Sequence, residues 1–181
     1  MRDDSGRHFG QRTRRIEDPA LLRGAGRFVG DIDLPGTLHA AFVRSPYAHA
    51  LIKDIDVAAA VAMPGVVAVL TARDIARGLT TLRMPLGFPT TTLPPNITPF
   101  VLTPEEVCFV GEAVVLVLAT SRYTAEDGAG AVLVDYEPLE VLADCRDALK
   151  PDAPKVRREA TDNVLCTFKM SYGNCADALA G

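Results

Sequence analysis

Apolar runs along this chain are short, and turn-forming residues interrupt them at strand rather than helix spacing. After the turn signal Leu34-Pro35-Gly36, "TLHAAFVRS" shows partial alternation and the apolar content of a strand. Ser45-Pro46 should end or bend it, because proline cannot donate to a ladder. "HALIKDID" predicts a second strand. Asp56 then stands where it caps a short helix, "VAAAVAM", which Pro64-Gly65 terminates. "VVAVLT" predicts a buried strand rich in β-branched residues, and Thr71 with Asp74 a capped turn of helix. "VCFVGEAVVLVLA" holds two strand-like runs split by Gly111. The second, Ala113 to Ala119, is apolar throughout, so both its faces should be covered. Thr120 or Ser121 caps a predicted helix over "RYTAEDGAGAV", "VLVDYEPL" predicts a strand stopped by Pro138, and "DCRDAL" a short capped helix. "NVLCTFKMSYG" predicts a last strand.

Residues 76–104 break this pattern. "LRMPLGFPTTTLPPNITPF" is too rich in proline and threonine for helix or strand and reads as a long loop, of the kind that is either functional or mobile. Strands, short helices and a long loop follow one another without strict β-α-β repetition, which predicts an α+β fold rather than a doubly wound sheet.

At 181 residues the chain is long enough for one domain with an arm, and at 48% hydrophobic it can bury a core. The net charge of −4 gives no general pull toward nucleic acid or an anionic membrane. Basic residues are nevertheless uneven: Arg2, Arg7, Arg12, Arg14, Arg15, Arg23 and Arg27 crowd the start, which predicts a solvated arm or one docking on an acidic partner. Cys108, Cys145, Cys166 and Cys175 lie far apart and match no zinc or iron–sulfur spacing. No apolar run has the length of a signal peptide or a membrane span, so a cytoplasmic protein with reduced thiols is expected.

Candidate chemistry is thin. Gly24, Gly26 and Gly30 lack the preceding strand and following helix of a dinucleotide fingerprint. His39 and His49 lie on what read as neighbouring strands, but no third ligand follows by spacing, and structural histidines are the better account. Ser45 has no nucleophile-elbow context. Glu105 and Glu106 are adjacent, so a strand would point them to opposite faces. Glu112, following Gly111, is placed to bond backbone amides in a tight turn. Cys108 sits between apolar residues as a small core residue would. The residues alone therefore assemble no catalytic, cofactor-binding or metal site, and the stretch from Phe42 to Asp56 reads as strand, turn and strand.

The blocks "GRFVGDIDLPGTLHAAFVRSPYAHALIKDID", "MPGVVAVLTARDI", "VCFVGEAVVLVLATSRYTAED" and "VDYEPLEVLAD" fall in the order and spacing of one family. They resemble the N-terminal a/b hammerhead domain of the molybdenum hydroxylase large subunit, as in xanthine dehydrogenase, aldehyde oxidase and aerobic carbon monoxide dehydrogenase. "RRIEDPALLRGAGRFVGDIDLPG" is most similar to the carbon monoxide dehydrogenase-like branch, and the resemblance covers about residues 12–177. Cys108-Phe109 stand where the family often has Arg-Tyr, Ala113 replaces a usual proline, and Gly128 stands where alanine is common.

The resemblance implies an a/b hammerhead-type domain, a mixed sheet or partial barrel with short helices. A basic arm would occupy residues 1–26, the hammerhead residues 27–150, and an extension toward a molybdopterin-binding region residues 151–181. It implies a hammerhead domain, or a split or truncated subunit, with a structural and assembly role and no complete active site in this chain. No cofactor is expected on the chain itself. Molybdopterin cytosine dinucleotide, iron–sulfur clusters and FAD are implied for the complete complex. The implied partners are the remaining molybdopterin-binding part of the large subunit and the iron–sulfur and flavin subunits. Self-association is expected of the isolated chain through "MPLGFPTTTLPPNITPFVL" and "NVLCTFKMSYG" if those segments lack their partner. The arm and the long loop also support a different reading, a free-standing protein-interaction or small-molecule binding module. A self-contained cofactor-free enzyme would need His39, His49 and an acid clustered in a deep pocket.

Overall fold

The computed structural model describes residues 15–32, 34–85, 97–170, 172–174 and 179. Most of the expected arm, residues 1–14, and the centre of the proline-threonine loop, residues 86–96, lie outside the described residues. Residues up to Thr37 form one compact unit and residues from Leu38 a second.

The first unit holds one helical turn, α1 (Asp18–Leu21), with proline in its first turn, where a missing N–H leaves no bond unmade. The Arg23 side chain donates to the Pro19 carbonyl at 2.7 Å. A tighter turn, Val29–Asp31, is closed by the Phe28 amide donating to the Asp31 carboxylate at 2.9 Å. Among its described residues no strand precedes Gly24, Gly26 or Gly30; Gly24 serves a turn at φ +68°, and Gly30 lies within the Val29–Asp31 turn.

The second unit is built from β1 (His39–Arg44), β2 (Ala50–Asp56), β3 (Val66–Thr71), β4 (Glu106–Val107), β5 (Ala113–Ala119) and β6 (Leu133–Pro138). They pair antiparallel throughout in two three-stranded sheets, in the orders β1-β5-β3 and β4-β2-β6. Between them run α2 (Ala58–Val61), α3 (Ala72–Ile75) and α4 (Arg122–Gly130). This is the expected α+β architecture.

The apolar run of β5 makes it the central strand of its sheet, with Val114, Val115, Val117 and Ala119 fully buried. Val43 and Val66 from the first sheet and Ile52, Ile55 and Val134 from the second pack on the same core, so one hydrophobic interior serves both. Each side chain of this size stabilises by about 1.5–3 kcal/mol on full burial. The Ser121 hydroxyl caps α4 by accepting from the Thr124 amide at 3.1 Å, and α4 packs against β1 and β5. Gly128 permits the close approach: a Cβ there would lie 3.0 Å from Val117 Cγ1 and 3.2 Å from Val66 Cγ2.

Local signals worked where they were chemical. Asp56 accepts the Ala58 amide at 2.9 Å and starts α2. Gly65, at φ +88°, turns the chain into β3. Asp74 accepts both the amide of Thr71, at 2.8 Å, and its hydroxyl, at 2.7 Å. The Thr71 hydroxyl first, and then its amide, hold the Asp74 carboxyl below its ordinary value of 3.8. A carboxyl depressed in the fold stabilises fully above its unfolded value and loses that contribution as pH falls through the folded one. Asp74→Asn is therefore expected to melt below the parent at about pH 7, with the gap shrinking below about pH 4. Thermal melts of both proteins across this range check it.

Three expectations need correction. "VVAVLT" is an edge strand, half-buried rather than buried, with Val67 facing solvent. The run before Gly111 yields only the two residues of β4 before the chain turns. "NVLCTFKMSYG" forms no strand among its described residues: its apolar alternation gives a tendency, but no ladder is made there.

Candidate functional site

Buried polar side chains mark where the chain changes sheets. β1 belongs to the first sheet and β2 to the second, while β4 belongs to the second and β5 to the first. The two crossovers, at Ser45-Pro46-Tyr47 and at residues 108–112, lie side by side. The Ser45 amide donates to the Glu112 carbonyl at 2.9 Å, and the Gly111 amide donates to the Ser45 carbonyl at 2.8 Å. Arg44 Nη1 donates to the Gly111 carbonyl at 2.8 Å. Gly111 adopts φ +88°, a conformation that side chains resist.

Inside this corner Ser45 and Glu112 are both 2% exposed. The Ser45 hydroxyl donates to the Tyr47 carbonyl at 2.9 Å and accepts the Tyr47 amide at 3.0 Å. It is a turn-former, engaged by its own backbone, and not a nucleophile. Glu112 Oε2 accepts the Cys108 amide at 2.6 Å, as its place after Gly111 predicts. Burial above all pushes the Cys108 thiol up to about 12, which keeps it protonated and unreactive. Tyr136 tilts against Tyr47 with ring centroids 5.2 Å apart. Burial above all raises its phenol above the ordinary value of 10.0.

The second polar centre is one that sequence reasoning did not assemble. His49, just before β2, places Nε2 2.8 Å from Glu106 Oε1 and Nδ1 2.7 Å from the Glu140 carbonyl. A carbonyl only accepts, so Nδ1 carries a hydrogen. Glu106 also accepts the Arg158 amide, at 3.1 Å on Oε1 and 3.3 Å on Oε2. The pair thus joins β4, the start of β2, the segment after β6 and the stretch around Arg158. Nearby, Arg83 donates to the Thr98 carbonyl at 2.6 Å, lies 4.0 Å over the Phe100 ring and pairs with Glu159.

The other candidates stay apart. His39 is exposed on β1 and His49 serves the second sheet, so the two histidines are not on neighbouring strands as the sequence suggests; the bend at Ser45-Pro46 sends the chain to the other sheet between them. Glu105 lies in the bend before β4 and is exposed, while Glu106, the first residue of β4, is half-buried against His49, so the two form no carboxylate pair. A cleft of about 530 Å³ runs beside β2 and α3, but Lys53 on its wall is paired with Glu137 at 2.5 Å and Asp74 is engaged by Thr71. Among the described residues no three His, Cys, Asp or Glu side chains form a set that could hold a metal ion. His49 and Glu106 are bonded to each other and to the chain's own backbone, so they do not fit a metal centre. No helix among the described residues is long and apolar enough to cross a membrane.

Two antiparallel sheets, bridged by paired crossovers and sharing one core, define an α+β module in which Ser45, His49 and Glu112 bond to the chain's own backbone. Residues 23–140 match the family described as aldehyde oxidase and xanthine dehydrogenase, a/b hammerhead domain, and the chain belongs to that family. It is 44% identical over 156 residues to the carbon monoxide dehydrogenase large chain of Afipia carboxidovorans, a match covering 86% of this chain and 18% of that one. It is 40% identical over 175 residues to the nicotine 6-hydroxylase large subunit of Paenarthrobacter nicotinovorans, covering 95% of this chain and 21% of the relative. A crystal structure of the Cu,Mo-CO dehydrogenase superposes with a TM-score of 0.70 at 43% identity, covering 87% of this chain and 19% of that one. The chain therefore spans about a fifth of the length of these relatives.

Proposed function

We propose that this chain is the supporting hammerhead module of a molybdenum hydroxylase large subunit, with a role in structure and assembly. The observation that carries the reading is that strong similarity runs along nearly the whole chain yet reaches only about a fifth of each relative. In this reading the redox chemistry belongs to the remaining large-subunit regions, with molybdopterin cytosine dinucleotide, iron–sulfur clusters and FAD in the complete complex. The chain's polar side chains support that division of labour, because Ser45, His49, Glu106 and Glu112 bond to its own turns and strands. The partners are the molybdopterin-binding remainder of the large subunit and the iron–sulfur and flavin subunits.

The 181-residue chain, purified alone, is expected to carry only traces of molybdenum, iron and flavin. Elemental analysis and an absorption spectrum test this. Molybdenum bound one-to-one with the polypeptide would overturn the division of labour. The substrate is set by regions beyond this domain and is not part of the proposal.

A further inference from the structure

The stretch after Pro151 is polar, yet it is tied down. Residues 154–163 lie as a strap along the second sheet, knotted by Asn163. That side chain accepts the Val156 amide at 2.9 Å and donates to the carbonyls of Pro154, at 3.0 Å, and Ala148, at 3.3 Å. Those bonds close the strap on itself and on the turn before it. Two side-chain contacts tie it to the strands and loops of the domain: Glu106 to the Arg158 amide, and Arg83 to Glu159. The Glu159 carboxylate is half exposed, so solvent screens that ion pair. Glu106 is 16% exposed, and its bond to the Arg158 amide is charge-assisted.

We infer that Glu106 is a latch, aimed by His49, that clamps the 154–163 strap onto the second sheet and closes the cavity over Cys108. His49 is fixed from its far side by the Glu140 carbonyl, so the carboxylate it holds has a defined direction. Val156 of the strap forms one wall of a cavity of about 210 Å³ that also contains His49, Cys108 and Leu142. Releasing the strap removes that wall. The latch also fixes the point from which residues 164–170 run on without regular structure, with Phe168 and Met170 in solvent. It acts at a backbone amide, so it depends on no particular side chain in the strap.

The geometry offers an uncommonly clean test. The Ala160 amide donates to the Arg157 carbonyl at 3.1 Å, which makes Arg158 the second residue of a β-turn. Proline is favoured at that place and lacks only the N–H that Glu106 accepts. Arg158→Pro should therefore keep the turn and open the latch, while Arg158→Ala removes the side chain and keeps it closed. Two rates are read on the full chain: trypsin cleavage after Lys155, and iodoacetamide labelling of Cys108 relative to exposed Cys145. Glu106→Ala and Arg158→Pro are each expected to raise both rates about tenfold, the scale of one lost bond to a charged group. Arg158→Ala should stay within about twofold of the parent. If Glu106→Ala does not fold, Arg158→Pro against Arg158→Ala still decides. Cleavage in Arg158→Pro no faster than in Arg158→Ala, or a folded Glu106→Ala cleaved at the parental rate, would overturn the latch. Faster cleavage with Cys108 labelling unchanged would overturn the closure of the cavity.

Discussion

Replacing His49 with alanine is expected to destabilise the domain by about 3 kcal/mol, a large share of the 5–15 kcal/mol typical of a folded domain. Lost packing of the buried imidazole contributes, but the larger part comes from the partner left behind: Glu106 is 16% exposed and keeps the Arg158 amide but loses the imidazole, while the Glu140 carbonyl loses its donor. Removing one member of a buried pair strands the other, and that is costlier than losing both. The same substitution in a Glu106→Gln background should therefore cost about half as much, since no charge is left stranded. Urea unfolding of the four proteins measures the coupling. Equal His49→Ala costs in both backgrounds would show that the histidine acts alone.

Gly128→Val is expected to cost about 3 kcal/mol by a different route. The first carbon added at Gly128 already meets Val117 and Val66 at 3.0 and 3.2 Å. Val117 is fully buried at the centre of β5 and has one stiff rotamer, so it cannot swing aside. Two further methyl groups have nowhere to go unless α4 lifts from the sheet. Gly128→Ala sets two effects against each other. Helix propensity favours it by about 1 kcal/mol, and the contact with Val117 and Val66 opposes it. Alanine is expected within about 1 kcal/mol of the parent. Urea midpoints of the two variants test the ordering, and a valine variant as stable as the alanine variant would refute it.

What could be read from the sequence was what is decided locally. Proline after Ser45, glycine at position 111, Asp56 before an alanine run and Asp74 three residues after Thr71 each act on their own backbone, and each does what its chemistry requires. The apolar run of β5 identified a central strand because burial on both faces admits no polar alternation. The site was not legible for the converse reason. His49 and Glu106 are 57 positions apart and meet only because β2 and β4 pair in one register, Ala50 opposite Val107. No periodicity encodes that pairing. The histidines were linked wrongly because a strand, a turn and a strand suggest a hairpin, whereas this turn is a crossover between sheets. The last strand failed because alternation supplies a tendency and a ladder supplies the structure.

The arrangement of the first sheet also governs how the chain finds its fold. β5 is the strand on which β1 and β3 assemble, yet His39 pairs with Ala119 and Val66 with that same residue. Neither edge strand can dock until more than half of the described chain has been laid down, and the intervening loops must be closed before any ladder repays them. Helical turns such as α2 and α3 are four residues long and nucleate nothing by themselves. Folding of this domain is thus dominated by distant partners, which places it among the slower topologies of its size. During synthesis β1 and β3 emerge as unpaired apolar strands and stay so until β5 follows.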